Sequence, residues 1–301
     1  MMEIFKKIYY SDKTHNFHLL FWPSFILPLI EIKKNGKEAV KKIGFCKGLV
    51  MRELKNYGYY VTHESRECID YAKYLLGKWF SFEQIEKIIE KSNLIRHLHQ
   101  LLQIFRNYGI AVSPRDDIEV FITIFLSQNT EYHINTVKWV KKILDTFDIR
   151  RKDLIDQKVI AEKIGRSYQL LRLPEALKCY LDRREKILRG SHKLLLDCPY
   201  VGPKIYFAYR LHVLLDLTVA PVDVNLYKYL LKYAPEIAFY KRPIERYCRV
   251  FECEKCPIKD SCIESILRRE YSVALGWIQT VVYVYNDLLR NKNIHLWDLT
   301  L

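Results

Sequence analysis

The hydrophobic period of this chain changes once, near Arg66, and that single change restricts the fold more than any other feature. Ahead of it, residues 5–10, 17–32 and 57–62 have the β-branched and aromatic content of strands, with turn residues at Asn35-Gly36 and Gly58. Behind it, apolar residues recur at helical spacing. Ser81-Phe82-Glu83-Gln84 is a capping-box pattern that opens a helix to about Lys91, and Asn93 is placed to cap another that ends at Gly109. Helical patterns continue over residues 116–127, 131–147, 174–188, 204–215, 224–233 and 270–289. The expectation is a mainly α protein with a small N-terminal antiparallel sheet, an α+β arrangement. No repeat or low-complexity tract interrupts it, and 10 Gly and 10 Pro are too scattered to mark a linker.

Charge and cysteine content narrow the class. Lys plus Arg is 49 against 35 for Asp plus Glu, a net charge of +14, which suits a polyanionic partner, nucleic acid ahead of an anionic membrane surface. The apolar run 17–30 falls short of a bilayer span and contains Pro23 and Pro28, so it reads as buried strands and no membrane partner is expected. The first residues lack the pattern of a secretory signal, so the chain is expected to be cytoplasmic or nuclear and not secreted, with its 8 cysteines reduced.

Residues 194–230 concentrate the chemistry. A helix over residues 192–197 stops before Pro199, a tight turn includes Gly202, and Pro203 begins a second helix as its first-turn proline. A helix N-terminus behind such a turn presents backbone N–H groups to a phosphate. Lys204 lies in that first turn, where the helix dipole disfavours an ammonium and favours the neutral, nucleophilic amine. Taken alone it reads as a surface lysine in a phosphate-binding hairpin. Nineteen residues on, Asp223 stands at the N-cap of the next helix, and capping is its ordinary role.

Two further groups stand out. Cys248, Cys253, Cys256 and Cys262 follow one another with gaps of four, two and five residues, which in a reduced chain indicates a metal site, either a [4Fe–4S] cluster or tetrahedral zinc. Arg249, Lys255, Lys259, Arg268 and Arg269 surround them and are expected to form a basic lobe. Cys46, Cys68, Cys179 and Cys198 read as half-buried thiols. Near the C-terminus, Gln279 and Tyr283 are four apart, so they share one helix face, either as the edge of a core stripe or as the wall of a pocket. Asn129, in Ser127-Gln128-Asn129-Thr130, is either a helix C-cap or an exposed contact residue.

Together these motifs resemble the helix-hairpin-helix DNA glycosylase superfamily. Cys198-Pro199-Tyr200-Val201-Gly202-Pro203-Lys204 is similar to its hairpin L-P-G-V-G-x-K, with Tyr200 in place of the first glycine. Ala220-Pro221-Val222-Asp223 resembles the element that carries the catalytic aspartate, in the 8-oxoguanine branch in particular. Gly276-Trp277-Ile278-Gln279 with Tyr283 is similar to that branch's G-W-x-Q-x-x-x-F, and the cysteine loop resembles that of endonuclease III, whose first gap is two residues longer. The resemblance runs from Ile69 to about Leu289. It implies a base-excision repair enzyme acting on damaged double-stranded DNA as a monomer, both glycosylase and AP lyase, with Lys204 as Schiff-base nucleophile and Asp223 stabilising charge at the sugar. It further implies Gln279 and Tyr283 in the base pocket, with Asn129 filling the gap left by the flipped nucleotide. Tyr200, Val201 and Gly202 would lie at the phosphate, with a monovalent cation at the hairpin carbonyls. The implied substrate is 8-oxoguanine; oxidised pyrimidines, alkylated bases, or a non-catalytic DNA-binding module are the alternatives. The expected domains are 1–65 (sheet), 66–115 with 236–301 (helical, with the cysteine loop 248–262), and 116–235 (helical, with the hairpin 192–216).

Overall fold

The computed structural model describes residues 4–55, 57–149 and 156–290; residues 1–3 and 56 of the expected sheet domain, 150–155 of the domain expected over 116–235 and 291–301 of the domain expected over 66–115 with 236–301 lie outside them. Five antiparallel strands come first: β1 Phe5–Tyr10, β2 Ile30–Lys33, β3 Glu38–Lys41, β4 Val50–Leu54 and β5 Gly58–His63, in the spatial order β1-β5-β4-β3-β2. A short helix, α1 Phe17–Phe21, sits between β1 and β2. From α2 Arg66–Leu75 onward the described chain is helical: α3 Phe82–Lys91, α4 His97–Ile104, α5 Asp117–Leu126, α6 Val137–Thr146, α7 Gln157–Lys163, α8 Tyr168–Leu188, α9 Pro203–His212, α10 Val224–Tyr233, α11 Pro235–Ala238, α12 Glu245–Val250, α13 Ile263–Tyr271 and α14 Leu275–Arg290. The sheet-then-helix division near Arg66 is as the change of period predicts.

Several elements depart from the sequence expectation for local reasons. Residues 17–32 are not strands throughout. Asn16 accepts the Leu19 N–H at 2.9 Å and starts α1, a 3₁₀ turn covers Leu27–Leu29, and only Ile30–Lys33 joins the sheet, because Pro23 and Pro28 cannot donate to a ladder. The helix expected from Asn93 begins after Arg96, and the segment His192–Asp197 is 3₁₀. Helix α8 begins at Tyr168, capped by Ser167, and tolerates Pro174 in its second turn. The single helix expected over residues 270–289 is two, since Ser272 takes a φ of 43° between α13 and α14.

The sheet and the helices share one apolar core, from Phe17 and Met51 to Trp277 and Tyr285. The join is polar at one point. Lys41 on β3 and Asp116, ahead of α5, form an ion pair of 2.6 Å with both side chains fully buried. Asp116 also accepts the Phe45 N–H at 2.6 Å and the Ser113 hydroxyl at 2.5 Å. The connecting chain passes so close that a Cβ on Gly44 (φ +83°) would lie 2.1 Å from Asp116 Oδ1, so only glycine fits.

The cysteines outside the loop are not thiols, contrary to expectation. Cys46 is joined to Cys68 and Cys179 to Cys198, with Cα atoms 5.4 and 5.5 Å apart. The first pair ties the segment before β4 to α2, and the second ties α8 to the start of the hairpin. Spacing alone hid both pairs, because the partners belong to different elements. Among the described residues no helix is long and apolar enough to cross a membrane.

Candidate active site

Helix α9 carries Lys204 and is fixed from behind by a buried polar network. Arg184 of α8 forks onto Asp117 of α5 at 2.6 and 2.8 Å, and the Tyr180 hydroxyl bonds both Asp117 and, at 2.7 Å, Tyr209 of α9. Such a charge-assisted fork is directional, so it sets the relative placement of the three helices. Ahead of α9, Tyr200 adopts the left-handed φ of 63° itself, so the turn survives the loss of the glycine. Its ring lies 4.7 Å from the Arg172 guanidinium, and its hydroxyl hydrogen-bonds Glu175, which raises the phenol pKa. Val201 is buried, and Gly202 is the N-cap with Pro203 behind it, as the sequence predicts.

The chain returns to the site through a second brace. Arg210 pairs with Asp216, which caps Thr218, and Glu264 of α13 accepts the Ala220 N–H at 3.1 Å. This delivers Asp223 to the N-cap of α10, where Oδ1 accepts the N–H groups of Asn225 and Leu226 at 2.9 and 2.8 Å. Oδ2 takes no part in the cap. Gly276 lets α14 approach closely: its N–H reaches Leu217 O at 2.8 Å, and a Cβ there would lie 2.6 Å from Leu211 Cδ1. The same helix then presents Gln279, Tyr283 and Asp287 in steps of four.

One cavity of about 560 Å³ gathers these groups. Lys204, Asp223, Gln279, Tyr283 and Asn129 all line it, so residues from four separate segments meet there. Asn129 is exposed, has a left-handed φ of 45°, and donates to the Tyr168 hydroxyl at 3.2 Å. Tyr200, Val201 and Gly202 lie outside the lining. Among the lining residues not foreseen in the sequence are His133, His212 and Asp287. Asp287 was open to detection, since it continues the Gln279–Tyr283 stripe by one more turn. His133 sits in a π-helical turn, Tyr132–Thr136, that no simple period reveals.

The loop cysteines meet at a second, smaller cavity. Cys248, Cys253, Cys256 and Cys262 all line it, together with Phe207, Ile244 and Phe251. Burial, reinforced by the neighbouring thiols, pushes Cys248 up to about 12. Among the described residues no three His, Cys, Asp or Glu side chains are grouped as the ligands of a single metal ion. Of the surrounding cations, Arg249, Lys255, Lys259 and Arg269 are exposed, and three are paired: Arg249 with Glu245, Arg268 with Glu254 and Arg269 with Asp260.

No protein-family profile and no curated protein matches the sequence. Solved structures do match over almost the whole chain. MBOgg1 in complex with a low-affinity DNA ligand superposes with a TM-score of 0.70 at 13% identity, covering 95% of this chain and 96% of that one. The Clostridium acetobutylicum 8-oxoguanine glycosylase/lyase, bound to double-stranded DNA with cytosine opposite 8-oxoguanine, gives 0.64 at 15% identity over 96% and 99%. The 3-methyladenine DNA glycosylase of Archaeoglobus fulgidus gives 0.65 at 10% identity over 94% and 99%. At these identities the likeness establishes the fold: this chain is built as the helix-hairpin-helix DNA glycosylases are, with a small N-terminal sheet.

Proposed function

We propose that this protein is a DNA glycosylase and AP lyase that flips an oxidised purine, 8-oxoguanine, out of double-stranded DNA and cuts the strand through Lys204. The observation that carries the reading is the single cavity lined by an amine, a capped carboxylate, an amide and an aromatic ring, Lys204, Asp223, Gln279 and Tyr283. The fold shared with 8-oxoguanine and 3-methyladenine glycosylases supports it.

In this chemistry the neutral Lys204 amine attacks C1′ of the flipped nucleotide. The Nζ–C1′ bond forms as the C1′–N bond breaks, and the electron pair leaves on the base, which takes up a proton. Ring opening then breaks C1′–O4′ with the electron pair on O4′, which takes up the proton that Nζ gives up as the imine forms, and loss of a C2′ proton expels the 3′ phosphate with the C3′–O electron pair. Asp223 is held by its cap with one oxygen engaged, so its charge stays fixed beside the sugar as positive charge develops there. Gln279 offers an amide to the purine edge, and Tyr283 offers a ring to its face.

Incubation with duplexes that each carry one lesion tests the reading. Strand cleavage at 8-oxoguanine is expected, and cleavage confined to oxidised pyrimidines overturns the substrate.

Cys248, Cys253, Cys256 and Cys262 would hold a [4Fe–4S] cluster, which staples the loop. The donor set fits, being four thiols that line one small cavity beside Phe207, Ile244 and Phe251. Protein purified without oxygen is expected to be brown, with about four irons per chain. Colourless protein with stoichiometric zinc contradicts this.

A further inference from the structure

Outside the cavity, a ridge runs from Asn129 to the hairpin along one face of α8. Tyr168, Arg172, Glu175 and Cys179 follow one another at helical spacing, so they share that face. At the start of the helix the Tyr168 hydroxyl accepts from Asn129 at 3.2 Å, and Gln169 donates to Gln128 O at 2.8 Å, which ties α8 to the rim of the cavity. Further along, Cys179 is joined to Cys198, just ahead of Tyr200. Between these ties the Arg172 guanidinium lies 5.2 Å from the Tyr168 ring and 4.7 Å from the Tyr200 ring, and Glu175 holds the Tyr200 hydroxyl.

The ridge is arranged for a ligand rather than for the core. Tyr200 keeps a left-handed φ of 63°, which glycine adopts freely and an aromatic residue does not, yet its ring is 45% exposed and adds little to the packing. Tyr168 is 44% exposed. Arg172 is exposed too, and among the described residues it forms no ion pair, whereas Arg249, Arg268 and Arg269 of the cysteine loop each face a carboxylate. Two rings therefore position its guanidinium without neutralising it. Open aromatic faces beside a free guanidinium suit a nucleic-acid strand, whose bases and sugars stack and whose phosphates are anionic.

We propose that Tyr168, Arg172 and Tyr200 form a stacking ridge for DNA: the two rings cover the nucleotide next to the flipped one, and the guanidinium between them takes a backbone phosphate there. The hairpin pattern that this chain resembles has glycine where Tyr200 stands, so the ring is a contact of this chain's own. Its backbone departs from the ordinary range to make it, and the Cys179–Cys198 bond and Glu175 hold the ring in place before DNA arrives. The inference rests on the DNA reading above and goes beyond it by naming a second contact surface outside the base pocket.

The test is equilibrium binding of the wild type, Tyr200→Gly, Tyr200→Phe and Arg172→Gln to a duplex that carries a tetrahydrofuran abasic analogue with 2-aminopurine beside it. The analogue offers no base to read and no leaving group at C1′, so binding is measured apart from the chemistry. Tyr200→Gly is expected to bind roughly tenfold more weakly and to leave the bound 2-aminopurine brighter, because no ring stacks on it and quenches it. It is also expected to melt close to the wild type, since glycine takes the left-handed φ without strain. Tyr200→Phe keeps the ring and loses only the Glu175 contact, so its affinity is expected within about twofold of the wild type. Arg172→Gln is expected to flatten the slope of log affinity against log salt by about 0.9, the share of one phosphate. A ring that merely braces the hairpin through Glu175 would make Tyr200→Phe as weak as Tyr200→Gly, with equal 2-aminopurine signals in all the complexes, and that result overturns the ridge. Undiminished affinity in Tyr200→Gly overturns it as well. A wild type that binds no duplex even at low salt is a different result, which removes the DNA reading and the ridge with it.

Discussion

Asp223→Asn is expected to fold almost as stably as the wild type and to lose roughly 10²–10⁴-fold in turnover. The two effects separate because Asp223 does two things. Its Oδ1 caps α10 through two backbone N–H groups, and asparagine caps about as well as aspartate. What is lost on the folding side is a negative charge at a helix N-terminus, worth about 0.3–1 kcal/mol, or a melting shift of about 4 °C at most. On the chemical side, the fixed charge beside the sugar disappears. Asp223→Ala adds the loss of the cap, about 1 kcal/mol more. Melting curves and single-turnover rates for the two variants decide the matter. Wild-type turnover in Asp223→Asn would reduce Asp223 to its cap.

Lys41→Met is expected to be the most destabilising single change at the join between sheet and helices, by about 3–5 kcal/mol. The pair it breaks is fully buried, and Asp116 would keep its charge with only the Phe45 N–H and the Ser113 hydroxyl to meet it. Burial already holds the Lys41 ammonium below its usual pKa, with Asp116 the largest opposing influence, so the ammonium depends on its carboxylate partner. The double variant Lys41→Met/Asp116→Asn removes the stranded charge while an amide oxygen can still accept from Phe45, and it is expected to be more stable than Lys41→Met alone. Urea unfolding followed by tryptophan fluorescence measures both. A loss below about 1 kcal/mol in Lys41→Met would mean that the apolar core alone holds the two parts together.

The parts of the site that were legible in the sequence are those whose chemistry is local. Lys204 follows a turn and a first-turn proline, Asp223 is a cap, and Gln279 and Tyr283 share a helix face, so each is defined by neighbours within a few residues. The group in which Trp22 donates to Asp287 and stacks on His133 was not legible, because it forms where three distant segments meet, and one of them is a π-helical turn. Strands β3 and β4 were missed for a related reason. Glu38 and Lys41 are buried polar residues whose partners, Arg52 and Asp116, lie elsewhere in the chain, so β3 shows no apolar alternation. The two disulfides likewise depend on which elements become neighbours. The α13–α14 break rests on the left-handed backbone of one serine within an otherwise continuous helical period.

Lys204 as the covalent nucleophile is the centre of the account, and the most direct measurement is to reduce the protein–DNA adduct with borohydride and map it. Wild-type protein on an 8-oxoguanine duplex is expected to give one cross-linked species, with the deoxyribose remnant on the peptide that contains Lys204, and Lys204→Gln is expected to give none. An adduct on another lysine, or an undiminished adduct in Lys204→Gln, would contradict the account.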